Sequence, residues 1–306
     1  MMRDNFIKAL LEERSKDDSI MLLTGDLGFG VLEEFEELYP SSYLNLGIAE
    51  QTMTGIASGL ALSGKRVITY SIGNFPTLRC LEQIRNDLAY HECNVTIVSV
   101  GGGFSYGQLG MSHHATEDIG IMRALPNIEV LVPCTNLESE IITKKVIASK
   151  KTSYLRLDKS FDIETNDTES FNYGKLRSFR KGSRYVIIAT GGIIEEATKA
   201  ADEMKSKFNL NIKVLGCHMI KPFNEKDLIN NLTDAEIVLT LEEHNLVSGF
   251  GSLISDVLFR NKVYVKHFIN LGINDLYSAE VGDQKFLRKK NKINKEEIIE
   301  QLLNKI

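Results

Sequence analysis

The feature that most constrains the fold is a regular alternation along the chain. Short runs rich in Val, Ile and Leu are separated by longer amphipathic or Ala- and Gly-containing stretches. Continuous apolar runs are typical of strands buried on both faces, and the intervening stretches have the length and pattern of helices. The alternation predicts an α/β fold in which parallel strands are covered by helices on both faces.

The alternation occurs in two blocks. Residues 1–160 predict a first domain with strands at Ile20–Leu23, Tyr43–Leu46, Arg66–Ser71, Val95–Val100, Ile128–Val132 and Tyr154–Leu157, and helices at Glu50–Ser63, Leu81–Tyr90, Glu117–Ala124 and Leu137–Ala148. Residues 161–183 are polar and aperiodic, which predicts a linker. Residues 184–306 predict a second domain with strands at Tyr185–Ala189, Ile212–Leu215, Glu236–Leu241 and Tyr264–Ile269, and helices at Ile194–Phe208, Glu225–Asn230, Gly251–Arg260 and Lys295–Leu303.

Bulk properties exclude several classes of function. The net charge is −5, and acidic and basic residues are interspersed, so no nucleic-acid partner is predicted. No apolar run approaches the roughly 20 residues that a membrane helix needs, and the N-terminus lacks the layout of a secretion signal, so we expect a cytoplasmic protein. The four cysteines are scattered and predict reduced core residues. The basic cluster Arg288–Lys290 predicts a solvated surface turn.

Two stretches contain residues suited to chemistry. The run Tyr43–Gln51 (YLNLGIAEQ) predicts a strand, a glycine turn and a helix that begins with an acid, Glu50. An isolated acid there only complements the helix dipole. The second stretch, Gly101–Asp118, is a glycine-rich loop after a buried strand, and it contains His113 and His114. Because open α/β sheets bind ligands at the carboxyl ends of their strands, this loop predicts a functional site.

Taken together, these stretches resemble the pyrimidine-binding domain of the transketolase family. The segments Arg66–Ser71 and Leu81–Asp87 match the part between them. Residues 185–303 resemble the C-terminal domain of the same family, including the run Leu241–Asn245 (LEEHN) and the Gly249 motif that follows it. The resemblance therefore covers nearly the whole chain and implies thiamine diphosphate as cofactor.

The resemblance implies roles for individual residues in cofactor binding. Glu50 is expected to hydrogen-bond N1′ of the aminopyrimidine ring, which promotes removal of the proton from thiazolium C2, because a carboxyl kept from water can share a proton near neutral pH. Phe75 is the expected stacking partner of the pyrimidine ring, although the surrounding run does not align cleanly. Asp26 and Leu27, in the run Thr24–Gly30 (TGDLGFG), match a loop that faces the cofactor.

The resemblance also implies substrate contacts. His113 is expected to meet substrate hydroxyls, with His114 as its neighbour, and either Arg156 or Lys159 is expected near a substrate phosphate.

Two positions depart from the family. Gly101 stands where classical transketolases have a substrate histidine, and Leu109 stands where they have an aspartate. These departures predict a deoxy, branched or otherwise modified sugar as the substrate.

Part of the family's active site is missing from the sequence. The diphosphate and Mg²⁺ are held in the family by a Gly-Asp-Gly motif on a separate domain, and no Gly-Asp-Gly occurs in the 306 residues. The resemblance therefore implies the C-terminal subunit of a split transketolase. We expect it to self-associate through its first domain, to recruit an N-terminal transketolase subunit with the missing motif into a heterotetramer, and to be inactive alone.

Other interpretations remain open at this stage. Related thiamine-diphosphate enzymes are 1-deoxy-xylulose-5-phosphate synthase and the beta subunit of a 2-oxo-acid dehydrogenase. A nicotinamide-binding Rossmann protein is disfavoured, because no Gly-x-Gly-x-x-Gly follows the first strand. A non-catalytic scaffold subunit is disfavoured by the retention of Glu50.

Overall fold

The computed structural model describes residues 1–159 and 171–306, and within them the predicted α/β fold is confirmed. The strands are β1 Ile20–Thr24, β2 Tyr43–Asn45, β3 Arg66–Ile72, β4 Val95–Val100, β5 Glu129–Leu131, β6 Ser153–Leu157, β7 Arg177–Arg180, β8 Tyr185–Ala189, β9 Ile212–Gly216, β10 Met219–Lys221, β11 Ile237–Asn245 and β12 His267–Ile273. The helices are α1 Met2–Arg14, α2 Glu33–Leu38, α3 Glu50–Leu62, α4 Leu81–Gln83, α5 Asp118–Ala124, α6 Asn136–Ser149, α7 Ile194–Phe208, α8 Glu225–Asn231, α9 Phe250–Arg260, α10 Gln284–Lys290 and α11 Lys295–Leu303.

The described strands form two sheets. The first has the order β10-β5-β6-β4-β3-β1-β2 and is parallel except for β10, which runs antiparallel to β5. The second has the order β12-β11-β8-β9-β7 and is parallel except for β7, which runs antiparallel to β9. Since β10 comes from beyond residue 184, the second block of sequence completes the first sheet.

Apolar side chains pack on both faces of the sheets, as parallel strands require. The central strands β1, β4 and β6 are buried along their whole length. The four cysteines are free and buried, as predicted. No helix in the described residues combines the length and apolar character needed to cross a membrane.

Several local predictions need correction. The predicted helix Leu81–Tyr90 consists of α4 followed by a wider π-helix, Ile84–Ala89. The last predicted strand begins at His267, where pairing with Ile237 starts, and Tyr264 before it is 87% exposed. Helices α1, α2 and α10 and strand β10 were not predicted.

The predicted linker and surface turn also differ from the structure. Part of the predicted linker lies outside the described residues. Within it, β7 is an edge strand, and its Phe179 is buried against Gly216. The predicted surface turn Arg288–Lys290 is the last turn of α10, and Arg288 is only 3% exposed. Its guanidinium is buried because it pairs with Glu243 at 2.5 Å.

Candidate active site

The first residue of α3, Glu50, has a buried carboxylate at the carboxyl edge of the first sheet. Its residue exposure is 1%. Ser71 Oγ, at the end of β3, donates to Oε1 at 3.3 Å, and Arg79 Nη1 donates to Oε2 at 2.7 Å. The buried negative charge is therefore paired with a guanidinium and oriented by a hydroxyl.

The loops after β1 and β2 place their backbones against Glu50. Asn45 Oδ1 accepts hydrogen bonds from the N–H groups of Asp26 and Gly47, both at 3.0 Å, and ties the two loops together. A Cβ at Gly25 would lie 3.2 Å from the Gly47 carbonyl oxygen and 3.5 Å from Glu50 Cδ. Glycine at position 25 therefore lets the first loop approach the acid closely.

Two of the predicted site residues, Phe75 and His113, lie side by side near this acid. Their ring centroids are 5.2 Å apart in an edge-to-face arrangement. The guanidinium carbon of Arg79 lies 4.6 Å from the centroid of the Phe75 ring, which links Phe75 to Glu50 through one side chain. Phe75 and His113 are both half-buried. The structure thus brings together Glu50, Phe75 and His113, whose functional roles remain predictions.

Asp26 and Leu27 lie in the loop that approaches Glu50. Asp26 is exposed, has a left-handed backbone with φ +58°, and accepts a 3.2 Å hydrogen bond from Asn45 Nδ2. The Leu27 carbonyl accepts a hydrogen bond from Thr24 Oγ1 at 3.1 Å. Both residues therefore border the site, and a cofactor role for either stays a prediction.

His114 differs from His113 in its surroundings. It is 3% exposed, and its ring packs edge-on against Phe104 with centroids 5.0 Å apart. Burial lowers the pKa of His114. Its carbonyl accepts a hydrogen bond from the Asn74 side chain. The His114 ring is therefore enclosed by the loop that presents His113, and its contact with substrate stays a prediction.

Arg156 is also enclosed. It is 0% exposed, and its Nε lies 2.9 Å from Asp118 Oδ2. Its Nη2 donates to the carbonyls of Ala115 and Glu243 at 3.1 and 3.0 Å. The Arg156 guanidinium is therefore held by protein groups in this structure, and its contact with a substrate phosphate stays a prediction.

Lys159, the alternative to Arg156, is exposed. Its ammonium nitrogen lies 5.2 Å from the centroid of the Tyr106 ring. It borders a cavity of about 400 Å³ lined by Met1, Arg3, Val100, Gly101, Tyr106, Leu157, Asp158 and Lys159. Of the two predicted cations, Lys159 is therefore the exposed one, and its substrate role stays a prediction.

The run Leu241–Asn245 joins the two domains. Glu243 accepts hydrogen bonds from the N–H of Phe104 at 2.6 Å and from Arg288 Nε at 2.5 Å. His244 Nε2 accepts the N–H of Gly120 at 3.2 Å. These bonds from the second domain hold the loop that contains His113 and the helix that follows it.

Glu242, in the same run, caps a helix. Its carboxylate accepts the N–H groups of Phe250 and Gly251, at the start of α9, at 2.5 and 2.8 Å. Burial raises the pKa of Glu242 to about 7, against the opposing effect of these two hydrogen bonds.

Two residues around Glu50, Ser71 and Arg79, were not predicted from the sequence. Only the fold brings them to Glu50, and no local sequence pattern indicates them.

Comparisons with known proteins give matches along nearly the whole chain. Residues 1–161 match the family described as transketolase, pyrimidine binding domain, and residues 174–296 match the transketolase C-terminal domain. The chain is 31% identical to a subunit of apulose-4-phosphate transketolase from Actinobacillus succinogenes, over 99% of this chain and 96% of that one. It is 30% identical to a 6-deoxy-6-sulfo-D-fructose transketolase subunit from Clostridium sp. (strain MSTE9), over 97% and 92%.

Among solved structures, the chain is similar to a split-gene transketolase described as an inactive beta4 tetramer. The TM-score is 0.85 and the sequence identity is 28%, with 99% of this chain and 97% of that chain covered. The two folds therefore correspond from end to end.

Proposed function

Because this chain belongs to the transketolase family and matches transketolase subunits along its whole length, we propose that it transfers a two-carbon ketol unit between sugars as one subunit of a two-chain enzyme. The family match makes it a thiamine-diphosphate-dependent, transketolase-like subunit. The observation that carries the finer proposal is the buried Glu50 carboxylate beside the half-buried Phe75 ring.

The residues around Glu50 fit the aminopyrimidine part of the cofactor. Phe75 offers a flat face for stacking, Glu50 offers a buried carboxylate, and Gly25 leaves room beside it. When bound, thiamine diphosphate supplies a carbon nucleophile and an electron sink for breaking the carbon–carbon bond of a ketose. Glu50 would share a proton with N1′ of the ring. Ser71 donates a hydrogen bond to Glu50 Oε1 and would keep the carboxyl oriented.

His113 completes the part of the site that this chain contributes. It lies beside Phe75 and is half-buried, so one edge of its ring can meet a substrate hydroxyl. Ser112 Oγ lies 3.1 Å from His113 Nδ1 and can fix the tautomer of the ring. We assign His113 to substrate binding and Glu50 to proton sharing.

The partner in this proposal is an N-terminal subunit with a Gly-Asp-Gly motif that holds the diphosphate and Mg²⁺. Two observations support it: the relatives are named as subunits, and the structural neighbour is described as a split-gene protein. Exposed apolar side chains also border the loops around Glu50, with Phe29 77% and Ile48 79% exposed. The proposed assembly is a heterotetramer that forms on a pair of these chains.

The proposed substrate is a modified sugar rather than an ordinary pentose phosphate. Gly101 has φ +91°, and a Cβ there would lie 2.1 Å from Tyr106 Cε2, so this position cannot hold a histidine without rearrangement. Leu109, at the other departure, is 56% exposed and apolar. The two relatives are named for apulose 4-phosphate and for 6-deoxy-6-sulfo-D-fructose, and neither of these is xylulose 5-phosphate. We therefore expect a branched, deoxy or otherwise modified ketose to be the donor.

Reconstitution tests this proposal. The chain is mixed with a candidate partner of the Gly-Asp-Gly type, and two-carbon transfer from modified ketoses is compared with transfer from xylulose 5-phosphate and with condensation of pyruvate with an aldehyde. We expect transfer from a modified ketose by the complex and none by either chain alone. Activity with pyruvate only would favour the synthase-like alternative, and full activity of this chain alone would refute the two-chain proposal.

A further inference from the structure

One side chain in the candidate site makes the same two contacts that the aminopyrimidine ring requires. The Arg79 guanidinium donates to Glu50 Oε2 at 2.7 Å and lies 4.6 Å from the centroid of the Phe75 ring. A guanidinium is flat, delocalised and rich in N–H donors, so it stacks on an aromatic ring and pairs with a carboxylate as a protonated heterocycle does. Arg79 and an aminopyrimidine thus compete for the same pair of residues.

The Arg79 guanidinium occupies the space between Glu50 and the face of the Phe75 ring. Glu50 is 1% exposed, and its other carboxylate oxygen accepts a hydrogen bond from Ser71, so the buried acid cannot move out to meet a second partner. A ring nitrogen that approaches Glu50 over Phe75 must take the place of the Arg79 nitrogen.

The Arg79 side chain can move into solvent, whereas the Glu50 side chain is buried and cannot. The Arg79 side chain is 42% exposed and is attached to a short 3-10 helix, Leu78–Cys80. In the described parts of the chain, its ion pair is with Glu50 alone. Moving the guanidinium outward exposes it to water at small cost, while a buried carboxylate without any partner is unfavourable.

We propose that Arg79 is a gate residue, which pairs with Glu50 over Phe75 in the uncomplexed subunit and must swing away before the aminopyrimidine of the cofactor can bind. The proposal rests on the proposed function, since it takes Glu50 as the cofactor's partner. The gate keeps the buried charge of Glu50 neutralised until the cofactor arrives. It also weakens cofactor binding: a gate that is closed nine-tenths of the time weakens the apparent affinity about tenfold.

The test uses the full chain and thiamine, which lacks the diphosphate and so reports on the contacts that this chain makes itself. Ligand-observed NMR titration gives the dissociation constant at millimolar concentrations for wild type, Arg79→Met and Arg79→Lys. The matched control is Arg85→Met, an exposed arginine on the neighbouring π-helix whose side chain bonds Asn86. Circular dichroism checks that each variant is folded.

We expect Arg79→Met to bind thiamine about tenfold more tightly than wild type, and Arg85→Met to bind like wild type. Arg79→Lys keeps the charge but loses the flat stacking group, so its affinity should lie between the two. Adding Glu50→Gln to Arg79→Met should cancel the gain.

Equal, measurable affinities of wild type and Arg79→Met would overturn the gate and leave the proposed function intact. Failure of Arg79→Met to bind thiamine would also overturn the gate. In that case, binding of thiamine diphosphate by the reconstituted complex, measured separately, decides whether the proposed function fails as well.

Discussion

Replacing Arg156 by Met should destabilise the whole chain, because this residue neutralises a buried cluster of acids. Asp118 is 0% exposed and lies 2.9 Å from Arg156 Nε, and Asp158 lies 3.6 Å from Nη1. Removing one partner of a buried ion pair leaves an uncompensated charge and costs about 3–5 kcal/mol in the free energy of unfolding. Since domains are stable by only about 5–15 kcal/mol, the loss should be evident.

Urea unfolding followed by circular dichroism measures this effect, since the chain has no tryptophan to report fluorescence. The matched control is Lys159→Met, which removes an exposed cation three residues away and should change the free energy of unfolding by less than about 1 kcal/mol. Adding Asp118→Asn to Arg156→Met should restore part of the loss, because it removes the unpaired charge. A loss below about 1 kcal/mol for Arg156→Met would refute the idea that buried charge sets the cost.

Three further predictions concern stability and binding. Glu242→Gln should become more stable relative to wild type as pH rises, by about 3 kcal/mol in all, because burial raises the pKa of Glu242 from 4.5 to about 7. The cost of ionising Glu242 in folded wild type is absent below pH 4.5 and complete above pH 7. A difference in urea unfolding that stays constant across that range would contradict this. Gly102→Ala should destabilise by about 1–3 kcal/mol in the same assay, since its Cβ would lie 2.0 Å from Asp158 Oδ1; a wild-type midpoint would speak against the close packing. His113→Ala should raise KM for the sugar about tenfold in the reconstituted complex with thermal unfolding unchanged, as the loss of one hydrogen bond implies, and an unaltered KM would remove His113 from the substrate site.

Periodicity was enough to predict most of the buried strands. The strands β1, β3, β4, β6, β8 and β9 lie where apolar runs predicted them, because strands buried on both faces are rich in Val, Ile and Leu. Strand β10 escaped prediction because it is three residues long and is defined by its antiparallel partner β5. Edge strand β7 escaped because a polar, half-exposed strand has no such signature.

The site was predictable where a contiguous motif describes it. Glu50 stands in a run whose residues follow one another, so a resemblance could indicate it. Arg79 could not be found in this way, because its partner lies 29 residues away and only the fold brings the two together. The burial of Arg156 could not be predicted either: a charge near a strand end is usually solvated, but here the loop that contains Ala115 and the second domain enclose it.

Glu50 is central to the proposed function, because it is expected to share a proton with a cofactor that two chains hold together. The most direct measurement is proton–deuterium exchange at C2 of thiamine diphosphate bound to the reconstituted complex, in wild type and in Glu50→Ala. We predict that exchange falls about 10²- to 10⁴-fold in the variant, the range for loss of acid–base catalysis, while circular dichroism shows that the variant keeps the wild-type fold. Exchange at the wild-type rate in Glu50→Ala would contradict this role.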